Sequence, residues 1–216
     1  MRDDPIPELE RVLADVIVST TMTQLLNSQD ITIMQHLPRK LLVASLAVLA
    51  AACLPFTHPP DNSLRATAEL RDSLGRDVGN VHFTETPGVH GVTIAIEIEH
   101  GVTQGQHGIH IHAIGKCDGK GAFASAGGHF NPTGKPHGLL AANGPHAGDL
   151  ETVTIDALGH ATFVATSTRI ALASGPTSLL DADGSAVVVH ALPDDQRTDP
   201  AGNSGARIAC GVVTKE

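Results

Sequence analysis

The sequence has no Trp, no Tyr and only five Phe, so aromatic rings supply little of any core and aliphatic side chains must supply the rest. Positive charge is also short: 14 Lys and Arg against 23 Asp and Glu leave a formal charge of −9. A protein that neutralises phosphates needs a basic face, and none is visible, which argues against nucleic acid as a partner. A small anion remains compatible, because one cation in a focused channel attracts it while the rest of the surface is negative. The chain also lacks a convincing amphipathic helical period and any internal repeat. Charged residues alternate with apolar ones instead of forming blocks, and the apolar fraction is 41%, which separates the chain from disordered sequences. Its 216 residues suit one substantial domain with appended segments.

A hydrophobic run long enough to span a membrane is missing too, since a span needs about 20 apolar residues. Residues 41–53 form a shorter apolar run, preceded by Arg39 and Lys40 and followed by Leu54 and Pro55. That pattern suits the apolar region of a secretory signal. Cys53, after Leu49-Ala50-Ala51-Ala52, resembles a lipobox in which the new terminal Cys is acylated and holds the chain on a membrane. Simple A-x-A cleavage at the same place is the alternative, and Ala50 stands where a lipobox usually has Leu. Both readings export the chain to a periplasmic or other extracytoplasmic location. Signal peptides begin close to their charged residues. Met34 is therefore read as the start, 1–33 as an untranslated or disordered upstream extension, 34–52 as the signal peptide, 53–65 as a tether and 66–216 as the folded domain.

What the domain has in quantity is Gly, with 22 in the chain, and Pro, with 13, beside many Val, Thr and Ile. The balance points to short strands joined by turns. In Val92-Thr93-Ile94-Ala95-Ile96-Glu97-Ile98-Glu99 the β-branched residues share one face, the period-2 pattern of a half-buried strand. Similar patterns predict strands over 66–72, 78–84, 106–112, 151–156, 161–167, 186–191 and 207–213, an all-β, eight-stranded antiparallel barrel or sandwich. Two long intervals, 113–150 and 192–206, have no strand pattern. Loops of that length usually carry function, or need a metal or a disulfide to hold them.

Thirteen His are too many for ordinary packing. His110 and His112 sit at i and i+2 on a predicted strand and so project from one face. His129 follows in Gly-His-Phe-Asn-Pro, His137 after Lys135-Pro136, His146 three residues before Asp149, and His190 at the end of a Val-rich strand. Six His and one Asp supply ligands for two transition-metal sites, provided one residue is shared. Imidazole suits copper and zinc alike, copper(II) favouring tetragonal nitrogen and zinc accepting a tetrahedron of His and carboxylate. An imidazolate is the ligand that can be shared, one nitrogen to each ion.

These segments, with Gly105 through Cys117 and Gly202-Asn203-Ser204-Gly205-Ala206-Arg207-Ile208-Ala209-Cys210-Gly211, resemble the copper/zinc superoxide dismutases in family order, in particular the exported bacterial type. The resemblance covers roughly 66–216. It implies a Greek-key barrel that dismutes superoxide to oxygen and hydrogen peroxide outside the cytoplasm. It implies copper on His110, His112, His129 and His190, and zinc on His129, His137, His146 and Asp149, with His129 as bridge and proton carrier. It implies a disulfide between Cys117 and Cys210, Arg207 as the cation that docks superoxide, and Asp194 as the carboxylate linking a copper-ligand His to a zinc-ligand His. His107 matches a structural family His. His36, His58, His82, His90, His100 and His160 have no motif partner and read as solvated or turn residues. Monomer and homodimer stay open.

Two features depart from eukaryotic relatives. The segment from His190 to Arg207 is shorter, with Asp194-Asp195-Gln196-Arg197-Thr198-Asp199 in place of a charged helix-forming stretch, so steering is expected to fall more heavily on Arg207. Ala201 stands where those relatives commonly have Thr. Two competing classes are a metal carrier without turnover and a zinc hydrolase. Carrier-like relatives usually lose copper ligands or the Arg, and this chain retains them. A hydrolase needs an open zinc position beside a general base, and the zinc set here reads as closed.

Overall fold

The computed structural model describes residues 61–216; the extension, the signal peptide, Cys53, His36 and His58 lie outside the described residues. Alternation builds the sheet. In β3 (Val92–Ile98) Val92, Ile94, Ile96 and Ile98 are buried while Thr93 and Glu97 are exposed. β1 (Leu64–Asp72) and β2 (Asp77–Glu85) pair antiparallel with small residues facing large ones, Ala66 opposite Phe83 and Ala68 opposite Val81. β2 then sets Val81 against Ile96 and Phe83 against Ile94 on β3. Each of these Val, Ile and Phe side chains removed from water contributes roughly 1.5–3 kcal/mol.

The remaining strands are β4 (Gly105–His107), β5 (Ile109–His112), β6 (Val153–Ile155), β7 (Ala161–Ser167), β8 (Ala186–His190), β9 (Arg207–Val212) and β10 (Thr214–Lys215). The curled antiparallel sheet runs β5-β8-β9-β1-β2-β3-β7, with β10 on β1 and a separate β4–β6 pair. β3 pairs β7 and β1 pairs β9, the non-consecutive neighbours of a Greek key.

Ten strands, rather than the eight expected, form among the described residues. The stretch expected over 106–112 divides at Gly108, where the chain changes partner from β6 to β8. A Cβ on residue 108 would lie 2.8 Å from the Cβ of Ser204, so only Gly lets the chain turn this corner against the 192–206 loop. The last expected strand ends at Val212, one residue short of 213, and beyond it β10 joins β1. β1 begins at Leu64, two residues ahead of the expected strand.

β5 and β8 are buried on both faces. Ile109, Ile111, Val187 and Val189 point into the main core. On the opposite face Ala186 and Val188 pack with Phe123, Ala126 and Cys210 in a smaller cluster under the 113–150 loop. That face therefore requires the loop as its cover. A Cys117–Cys210 disulfide, spanning 93 residues with Cα atoms 5.6 Å apart, ties the loop to β9. The connection 168–185 adds Ile170, Leu172 and Leu179 to the core. Glu85 on β2 pins it by accepting from the backbone N–H groups of Leu172 (2.7 Å) and Ala173 (2.9 Å).

Candidate metal centre

Period-2 geometry on β5 sends Ile109 and Ile111 to the core and His110 and His112 to the other face, under the long loops. β8 ends by delivering His190 beside them, the ring centroids of His110 and His190 being 4.8 Å apart. The 113–150 loop lies back on β5 through backbone bonds from Ala113 N to Gly128 O (2.9 Å), Phe130 N to Ile111 O (2.8 Å) and Ile111 N to Gly148 O (2.9 Å). These bonds bring His129 and Asp149 against the two strand histidines.

Two ligand sets result. His110, His112, His129 and His190 place one ring nitrogen each within 4.8 Å of the others, and so do the donor atoms of His129, His137, His146 and Asp149. These are the two groupings that the resemblance implied.

Six buried side-chain nitrogen or oxygen atoms have no hydrogen-bond partner among the described residues. Four of them are Nδ1 of His110 and Nε2 of His112, His129 and His190, one from each member of the first set. An unmet buried polar atom costs about 1–3 kcal/mol, so four lone pairs facing one point make a strong fit to a cation that prefers nitrogen. The other nitrogen of each ring is held. His110 Nε2 meets Asp194 Oδ2 at 2.7 Å, His112 Nδ1 donates to Gly127 O at 2.9 Å, and His190 Nδ1 donates to Gly205 O at 3.3 Å. Such outer bonds fix tautomer and ring orientation.

His129 differs: its Nε2 belongs to the first set while its Nδ1 lies 2.8 Å from Asp149 Oδ1 in the second. His137 Nδ1 (3.1 Å) and His146 Nδ1 (3.2 Å) meet the same oxygen, and the Nδ1 atoms of His146 and His129 are 3.3 Å apart. Ligands about 2.0 Å from a central zinc in a tetrahedron stand about 3.3 Å from one another. The four spacings are close to the edges of such a tetrahedron. Asp149 Oδ2 is fixed separately, accepting from Gly138 N at 2.8 Å and His146 N at 2.9 Å.

Asp194 joins the two sets, with Oδ2 on His110 and Oδ1 on His137 Nε2 at 3.0 Å. Gly202 makes the space for it: at φ 59° it follows a left-handed turn, and a Cβ there would fall 1.7 Å from Asp194 Oδ1. Of the acidic stretch 194–199 only Asp194 is buried; Asp195 and Asp199 are exposed and accept hydrogen bonds that shape the loop. Asp195 accepts from Arg197 N, Thr198 N and Asn203 Nδ2, and Asp199 accepts from His137 N at 2.6 Å.

The titration pattern reflects burial and crowding. Burial first, then the neighbouring rings, push His112 down to about 2 and His190 to about 3, both opposed by backbone acceptors. Burial lowers His129 to about 4 against the pull of Asp149. For His137 burial opposes the charge, but the hydrogen bonds to Asp149 and Asp194 outweigh it and raise the ring to about 9. Burial works to raise both carboxyls, yet their ring partners hold Asp149 and Asp194 well below the usual carboxylate range. Four rings thus prefer to be neutral or, at His137, carry a proton between two carboxylates, a niche of negative potential suited to a dication.

Arg207, at the start of β9, donates from Nη1 to Phe123 O (2.7 Å) and from Nη2 to Gly127 O (2.6 Å). It is half-buried, its pKa lowered by desolvation, and its charge bears on His112 and His190. His107 is buried between His190 O (2.7 Å) and Thr103 O (2.9 Å), away from both ligand sets. His82, His90, His100 and His160 are exposed. Sequence reasoning passed over Arg169 and Gln196, which donate to backbone carbonyls beside Asp149. Nothing local in the sequence marks either residue.

Residues 78–213 match the family described as copper/zinc superoxide dismutase (SODC). The Superoxide dismutase [Cu-Zn] of Caulobacter vibrioides is 41% identical over 174 residues, which cover 79% of this chain and 98% of that protein. Superoxide dismutase [Cu-Zn] 2 of Aquifex aeolicus is 40% identical over 167 residues, covering 77% of this chain and 96% of that one. Among solved structures, a SOD-like protein from Bacillus subtilis is 36% identical with a TM-score of 0.63, covering 68% of this chain and 96% of that chain. A double mutant of it is 38% identical, also at 0.63, covering 68% and 95%. The chain belongs to the copper/zinc superoxide dismutase family, whose reaction is the dismutation of superoxide and whose cofactors are copper and zinc.

Proposed function

We propose that His110, His112, His129 and His190 hold copper, that His129, His137, His146 and Asp149 hold zinc, and that the His129 imidazolate bridges the two ions. One observation carries this reading: the His129 ring has its orphaned Nε2 in a set of four nitrogens and its Nδ1 in a set of three nitrogens and a carboxylate oxygen. All-nitrogen donors suit copper(II), and a closed His3Asp tetrahedron suits a structural zinc.

When bound, copper supplies the one-electron acceptor and one-electron donor that the reaction requires, and redox-inert zinc keeps the shared ring in place. The balance is two superoxide ions and two protons giving one oxygen and one hydrogen peroxide. Arg207 docks each anion through whatever donor capacity its bonds to Phe123 O and Gly127 O leave free. Nε2 of His129 takes up a proton after the first superoxide is oxidised and gives it to the second as that becomes peroxide. His110 and His190 stay oriented through Asp194 Oδ2 and Gly205 O. The donor nitrogens of His110, His112 and His190 lie within 4.8 Å of His129, whose Nε2 is buried among them.

The same proposal places the protein outside the cytoplasm, protecting against superoxide there. The apolar run 41–53 behind Arg39 and Lys40 supports export, Cys53 supports lipid anchoring, and the Cys117–Cys210 bond suits an oxidising compartment. Reconstitution with copper plus zinc, and with zinc alone, tests the chemistry. Dismutase activity with one ion of each metal per chain, and none with zinc alone, is expected; equal activity in both preparations overturns it. Membrane fractionation of the wild type and Cys53→Ser tests the location, a cytoplasmic wild type overturning export.

A further inference from the structure

Asp149 and Leu150 present consecutive backbone carbonyls, and a long side chain from a different part of the fold takes each one. Arg169, just past β7, donates from Nη2 to Asp149 O at 2.8 Å. Gln196, in the 192–206 loop, donates from Nε2 to Leu150 O at 3.0 Å. Neither residue offers an atom to either ligand set.

Both placements are costly. Arg169 is half-buried, desolvation lowers its pKa, and its Nε is buried without a partner. Its returns are one carbonyl and the attraction of the Asp149 carboxylate. Gln196 has φ 60°, a left-handed conformation that is strained for a non-glycine residue. That backbone is held because Gln196 also accepts from Leu139 N at its Oε1 (3.1 Å) and from Leu140 N at its carbonyl (3.1 Å), and donates its own N–H to Asp194 Oδ1 (2.6 Å). Two energetically unfavourable placements meeting on one dipeptide call for a common role.

We propose that Arg169 and Gln196 are positioning residues. They clamp the Asp149–Leu150 backbone from two sides, so that the Asp149 carboxylate is aimed at the second ligand set before the ion arrives. The inference rests on that set being the zinc site. A site ordered in advance loses less conformational freedom on binding, so the clamp raises zinc affinity without contributing a ligand. None of the clamp's side-chain hydrogen bonds touches His110, His112 or His190, and only the shared His129 meets Asp149, so copper affinity depends on the clamp less than zinc affinity does.

The test uses the full chain as Arg169→Met, Arg169→Lys, Gln196→Ala and His146→Ala, with zinc and copper affinities measured separately by chelator competition and Tm measured on the metal-free protein. Zinc affinity is expected to weaken about 10–100-fold in Arg169→Met and Gln196→Ala. Copper affinity should change by less than about threefold, and Arg169→Lys should recover most of the zinc loss because one donor suffices at Asp149 O. Two results overturn the clamp: zinc affinity within about twofold of wild type in both disrupting variants, or zinc and copper affinities falling equally together with Tm. Gln196→Ala decides alone if Arg169→Met does not fold. His146→Ala separates the levels: if it keeps its zinc, the site assignment fails and the clamp with it; if it loses zinc while the clamp variants do not, only the clamp fails.

Discussion

His112 and Arg207 share one acceptor: the Gly127 carbonyl oxygen lies 2.9 Å from Nδ1 of the ring and 2.6 Å from Nη2 of the guanidinium. The cation proposed to dock the substrate is therefore registered to a histidine of the four-nitrogen set through a single atom of the 113–150 loop. Arg207→Glu should lower kcat/KM by at least about tenfold and abolish its decline with added salt, while both metals stay bound. Arg207→Lys, which keeps the charge and loses the two-pronged geometry, should fall between. Wild-type activity of Arg207→Glu at low salt would remove the residue from the mechanism.

The Cys117–Cys210 bond and the Arg207 hydrogen bonds hold the same loop to the same strand. Cys210→Ala in the fully metallated protein should cost roughly 2–5 kcal/mol in denaturant unfolding. An unchanged midpoint would show that the metals alone fix the loop.

Asp194 touches His110 and His137, one ring from each set, so Asp194→Ala should weaken both metals together, by about 10–100-fold each. Chelator titrations of copper and zinc check this. Weakening of one metal alone would mean that the carboxylate does not couple the sites.

The metal-free protein should lose stability as pH falls. His112, His129 and His190 fold with pKa values near 2, 4 and 3, below the unfolded 6.5. Below pH 6.5 the unfolded chain therefore binds more protons than the folded one, and stability declines from there towards pH 4 and below. His137, raised to about 9, works in the opposite direction: its contribution is complete below 6.5 and is lost as pH rises through 9. Denaturant midpoints of metal-free protein should pass through a maximum between these limits, and a His137→Gln variant should lose the alkaline decline. A midpoint independent of pH between 4 and 6.5 would contradict the buried neutral rings.

Much of this arrangement can be read along the chain, and the reasons differ by residue. Val92 to Ile98 announces itself because burial on one face imposes a two-residue period. His110 and His112 share a face for the same reason. The break at Gly108 leaves no such trace, because its cause is Ser204, distant in sequence. Ile170, Leu172 and Leu179 enter the core from a segment with neither helical nor strand period, since a loop can bury side chains wherever it crosses the barrel. Arg169 and Gln196 stayed hidden because their partners are backbone carbonyls 20 and 46 residues away, and a carbonyl has no sequence signature. Asp194 was legible through family resemblance, whereas the backbone N–H groups that Asp195 and Asp199 accept from needed the folded loop.

The central claim is that one ring, His129, serves two ions. Anomalous diffraction at the copper and zinc edges of the reconstituted protein tests it most directly. Two metal–nitrogen bonds of about 2.0 Å on opposite sides of an imidazole place the ions about 6 Å apart. The account predicts that separation, with copper at Nε2 and zinc at Nδ1. Ions more than about 8 Å apart, or both metals on one side of the ring, would contradict it.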